Sequence, residues 1–237
     1  MQNVTRRSFV SGVAAGVTAL GVLSGVTHEA DAQLVWKTSD WNLAEFEKLV
    51  KNPARLKQLY DVTQINDGKF LNNVKNSLNG LRFGFGLPEQ QIKVAVAMHG
   101  PANMLNYDDY IWEKYQLGAW LKVTDPAASK PAVRNIFYKS TITAQPASAN
   151  DPNDRNSLFQ DTAIETLHAR GIQFLSCHTA DEELAHALVK HNNLTEDPET
   201  IVHEMLAHTV PGVLVVASMV AAVALLQAEG RFTYITP

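Results

Sequence analysis

The chain is poor in cysteine, in charge and in the glycine-rich signatures of nucleotide chemistry. A single cysteine, Cys177, among 237 residues excludes an internal disulfide framework. It also excludes a zinc or iron–sulfur site built from several cysteines of one chain. Charged residues are 19% of the chain and the formal net charge is −4, so no electrostatic footprint for nucleic acid is visible. G-x-G-x-x-G, G-x-x-x-x-G-K-[ST] and G-x-S-x-G are all missing; Gly84-Phe85-Gly86 precedes a predicted strand instead of following one. His203-Glu204-Met205-Leu206-Ala207-His208 misses H-E-x-x-H by one residue, and no C-x-x-C-H haem site occurs. What is present, 46% hydrophobic residues with 13 glycines and 10 prolines, is the composition of a globular protein.

The N-terminus carries an address. Thr5-Arg6-Arg7-Ser8-Phe9 leads into an uncharged stretch to Thr27, then Ala30-Asp31-Ala32. A charged start, an apolar middle and a small-x-small end make a secretory signal. The paired arginines with Phe9 resemble a twin-arginine signal. Four glycines in the apolar stretch keep it mildly hydrophobic, which suits that route better than a membrane anchor. The expected layout is a signal peptide at 1–32, a helical arm at 33–56 and one domain at 57–237, interrupted by a loop insertion at 122–156. The expected location is periplasmic, with no membrane span left after cleavage. Thr209 to Gln227 lacks charge over nineteen residues, but Pro211-Gly212, the β-branched valines and the Ala-rich second half read as strand, turn and helix.

Along the domain, helix and strand patterns alternate. Strands are expected near 58–63, 92–99, 172–177, 213–216 and 232–236. Helices are expected from Asp67, over 157–170, from a Thr179-x-x-Glu182 capping box to about His191, from Asp197 to His208, and over 218–229. This alternation predicts an α/β fold of three layers, α/β/α, around a mainly parallel sheet. Five aromatics between Tyr107 and Trp120 exceed what a short surface helix needs and favour a homo-oligomer; the competing reading is that they fill a core.

In a parallel sheet, ligands bind beyond the carboxyl ends of the strands. The ends to watch are His99-Gly100-Pro101, Cys177-His178-Thr179 and the 211–218 region. Cys177 stands before a helix whose orphan N–H groups lower a thiol's pKa; His178 adds positive charge, while Asp181 and Glu182 oppose the shift. The alternative is a buried, inert thiol serving as a small hydrophobe. The histidine pairs at 186/191 and 203/208 are five apart and share no helical face, so no metal site is expected.

Several stretches together resemble the DsrE/DsrF-like family of sulfur-relay proteins. They are Met98-His99-Gly100-Pro101-Ala102, Leu167 to Phe174 leading into Cys177, and the ending Leu226 to Ile235. The likeness covers about 57–121 and 157–237. It implies a flavodoxin-like fold, oligomerisation and a cysteine, here Cys177, that accepts persulfide sulfur from a donor protein and passes it to an acceptor. His99 and His178 are candidate partners of that thiol. His178 stands where the pattern leads one to expect Asn, and the insertion and signal peptide also depart from cytoplasmic relay proteins. No cofactor is expected. The competing function is a non-enzymatic periplasmic binding or assembly module with a structural Cys177.

Overall fold

The computed structural model describes residues 39–142 and 151–237. The expected signal peptide, 1–32, lies outside the described residues. A short helix, α1 (Leu43–Val50), is capped by Asn42, whose Oδ1 accepts the Glu45 N–H at 3.1 Å. Its Phe46, Leu49 and Val50 are buried, while Leu43 faces out.

The main sheet contains β1 (Leu56–Val62), β2 (Ile92–Met98), β5 (Gln173–Cys177), β6 (Leu214–Val216) and β7 (Thr233–Ile235), in the spatial order β6-β5-β2-β1-β7. Every pairing is parallel. A separate hairpin, β3 (Thr124–Asp125) and β4 (Lys130–Pro131), lies in the insertion. The helices are α2 (Lys69–Asn79), α3 (Asp109–Lys114), α4 (Leu117–Trp120), α5 (Ile164–Ala169), α6 (His178–Asn192), α7 (Pro198–Ala207) and α8 (Met219–Ala228). The strands fall within two residues of the expected ranges, because each is a short apolar or alternating run. Val94 to Met98 of the central β2 are fully buried, as a strand covered on both faces must be. Each such Val or Met side chain contributes about 1.5–3 kcal/mol of apolar burial.

Topology sets the layers. The steps β1→β2, β2→β5 and β5→β6 all move the same way across the sheet, and β6→β7 moves back across all of it. Right-handed crossovers therefore place α2, α5, α6 and α7 on one face and α8 on the other. Consistently, α1 packs on α8, and α8 lies against β1, β2 and β5. Counting only sheet strands, the order is 4-3-2-1-5, whereas flavodoxin has 2-1-3-4-5. The connectivity thus supports the three-layer α/β/α expectation and not its flavodoxin-like qualifier.

Four local expectations are corrected. The helix expected over 157–170 begins only at Ile164: Asp161 accepts hydrogen bonds from the Ala163 N–H and the Thr166 hydroxyl and holds a turn instead. Asp67 does not cap α2. It takes a left-handed conformation, and Gly68 follows with φ of 71°, where an added Cβ would strike the Phe137 ring. Thr179 is not the cap of α6; that position belongs to Cys177. Finally, Tyr107, Trp112 and Tyr115 fill the core, so the aromatic cluster gives no argument for an oligomer. Among the described residues no helix is long and apolar enough to cross a membrane, and the uncharged 209–227 run divides into β6 and α8.

Candidate functional site

The crossover directions define one place in the sheet where neighbouring strands send their helices to opposite faces. It lies between β5, followed by α6, and β6, followed by α8. Such a switch point opens a crevice beyond the strand ends. Cys177, the last residue of β5, stands there. Among the described residues, its Sγ accepts two hydrogen bonds, both from backbone N–H groups: Ala180 at 3.4 Å in the first turn of α6 and Met219 at 3.2 Å at the start of α8. Two helix N-termini, each a positive dipole end, thus converge on one sulfur. The Thr179 hydroxyl donates to the Ala217 carbonyl at 2.9 Å and ties the two helix starts together.

The thiol is nonetheless only 5% exposed. Burial pushes its pKa up; the two N–H groups work against that, and Asp181 and Glu183 add to it. The helix N-terminus expected to favour the thiolate is present, but burial outweighs it.

The two candidate histidines are adjacent to Cys177 in different ways, and neither hydrogen-bonds to its sulfur. His99 follows Met98, whose register partner is Ser176, so His99 and Cys177 leave neighbouring strands side by side. The His99 ring turns toward β1, with Nε2 at 2.7 Å from Asp61 Oδ1. Asp61 Oδ2 also accepts the Tyr234 hydroxyl of β7. His178 is 3% exposed. Its Nε2 is 3.0 Å from Asp40 Oδ2, its Nδ1 is 3.7 Å from Glu182 Oε1, and the Trp41 ring meets it edge-on at 5.6 Å. The segment in front of α1 therefore lies over the residue next to Cys177. In the described part of the 122–156 insertion, the Asn135 amide donates to the Leu105 and Tyr107 carbonyls at 2.9 and 2.8 Å.

Behind the thiol lies a polar cluster that sequence reasoning missed. Alternation along β5 turns Ser176 to the opposite face from Cys177. There the Asn103 Oδ1 accepts the Cys177 N–H at 3.0 Å and the Ser176 hydroxyl at 3.1 Å. Asn103 and Tyr107 donate to Asp181 Oδ1. Asp181 is fully buried, and its Oδ2 has no hydrogen-bond partner among the described residues. Burial raises its pKa from 3.8 to about 8 against the opposing pull of the Tyr107 and Asn103 hydrogen bonds. In sequence Asp181 looks like an ordinary acidic residue of a first helical turn. Only the fold places it beneath Tyr107.

The other histidines serve elsewhere. His208 bonds Asp108 at 2.9 Å and stacks on Tyr110, which helps join α7 to α3. Among the described residues, no group of three or more His, Cys, Asp or Glu side chains is arranged to hold a metal. Compared with protein-family models, curated proteins and solved structures, the chain has no match.

Proposed function

We propose that the protein is a periplasmic thiol-based sulfur carrier acting through Cys177. The reading is carried by one observation: the sulfur caps α6 at the switch point and accepts N–H groups from two helix starts. Capping alone favours Ser, Thr, Asp or Asn, because a thiol is a weak acceptor. A thiolate or persulfide anion is a strong one, and it is the species two converging helix dipoles would hold.

The transfer needs no cofactor. Cys177 loses its proton and its sulfur attacks the outer sulfur of a donor persulfide. The donor's S–S bond breaks, and the donor leaves as a thiolate that takes up the proton. Cys177 then holds the sulfur as a persulfide until an acceptor thiolate attacks it in the same way. Export by the twin-arginine route, resting on Arg6, Arg7 and Phe9, belongs to the proposal, as does a homo-oligomer. The uncharged α8, with Val220 and Leu225 exposed, supports the latter.

The burial of Cys177 favours a second reading, a non-enzymatic binding module with an inert thiol. Intact mass after incubation with a low-molecular-weight persulfide separates the two. A gain of one sulfur on the parent and none on Cys177→Ser supports the carrier. Absence of the adduct, with alkylation of Cys177 only after denaturation, leaves the module.

A further inference from the structure

We propose that the N-terminal arm, residues 39–50, is a strap that closes the crevice over Cys177, with the Asp40–His178 pair as its clasp. The proposal takes its purpose from the sulfur-carrier reading, but its geometry stands separately. A switch-point crevice is normally open to ligand, yet here the thiol within it is 5% exposed. The residue after it, His178, is held by two arm side chains, Asp40 at 3.0 Å and Trp41 at 5.6 Å ring to ring. The helix whose first N–H reaches the sulfur, α8, is the one on which α1 packs. The residue that follows the sulfur and the helix whose N–H reaches it are therefore both in contact with the arm.

The arm's own hold is local. Phe46, Leu49 and Val50 anchor its far end. Its near end, with Ser39, Trp41 and Leu43, lines an open hollow of about 530 Å³ together with Val213 and Val215, while α1 packs on β6 as well as on α8. A short N-terminal element held by one polar clasp and a few apolar anchors, with a solvent-open hollow along it, belongs to the low-stability end of a domain, where opening does not require global unfolding. Releasing Asp40 and Trp41 from His178 would uncover the strand end without disturbing the sheet.

The test is the rate at which a small maleimide alkylates Cys177 in the folded protein, followed by intact mass. The proteins compared are the parent, Asp40→Asn, Asp40→Asn/Trp41→Ala, and Glu45→Gln as an arm control outside the clasp. Loss of one hydrogen bond to a charged group predicts acceleration on the order of tenfold or more in the clasp variants. Glu45→Gln should match the parent. An unchanged rate in the folded double variant overturns the proposal, as does an acceleration fully accounted for by lower global stability in urea. Should the double variant not fold, hydrogen exchange of the parent decides. Amides of 46–50 exchanging well before those of β2 support the strap, and exchange of both at one common rate refutes it. Fast alkylation without any sulfur uptake would end the carrier reading and leave the strap. Equally fast sulfur uptake by parent and clasp variants would do the reverse.

Discussion

Replacing Asp181 by Asn should remove a specific pH dependence from the stability of the protein. The side chain is fully buried, and its pKa rises from 3.8 to about 8 on folding, chiefly through burial. Below about pH 4 the carboxyl is protonated in both folded and unfolded chains and adds no pH-dependent cost. Between about pH 4 and 8 the unfolded chain ionises while the folded one keeps its proton, so stability falls by about 1.4 kcal/mol per pH unit. Above about pH 8 the loss is complete. Integrated over that window it has an upper limit of about 6 kcal/mol, which relaxation and entry of water reduce. Asn keeps the acceptor for Tyr107 and Asn103 but places an amide where Oδ2 has no partner. That amide carries two N–H donors where the protonated carboxyl carries one O–H, and the extra buried donor costs about 1–3 kcal/mol at every pH. The variant should thus be weaker than the parent near pH 4.5 and equal or stronger near pH 8. Urea unfolding of both proteins at pH 4.5, 6, 7 and 8 measures this. Contributions common to both proteins cancel in the difference. Parallel stability curves for the two proteins would refute the claim that Asp181 is neutral when folded.

Asn135→Ala should cost about 2–3 kcal/mol, because the Leu105 and Tyr107 carbonyls each lose a hydrogen bond; urea midpoints check this, and faster proteolysis within 122–142 should accompany it. Gly118→Ala should destabilise by several kcal/mol, because an added Cβ would lie far inside contact distance of the Ala132 backbone, and melting temperature reports it. Replacing Arg6 and Arg7 by Lys should stop export, read by cell fractionation; persistence in a strain lacking the twin-arginine translocase would refute the route. Sedimentation of the mature protein at micromolar concentration should show more than a monomer, and Val220→Glu should shift it toward one.

The strands and most helices were legible in the sequence, because each depends on patterns a few residues long. Ile92 to Met98 could hardly be anything but a covered strand, and Asp197-Pro198-Glu199 starts α7 as written, with Asp197 Oδ1 accepting the Glu199 N–H at 3.0 Å. Cys177 was also legible as a strand-end thiol before a helix. The misreadings arose where side chains competed with a local pattern, as Asp161 does at the start of α5. Tertiary structure alone decided the environment of the thiol. His178 meets Asp40 from 138 residues away, Tyr234 reaches Asp61 across 173, and Tyr107 reaches Asp181 across 74. The strand order β6-β5-β2-β1-β7 put the second helix N-terminus beside Sγ. A helix dipole can be inferred from neighbours in the chain, but the desolvation that overrides it depends on what the whole fold stacks above the sulfur.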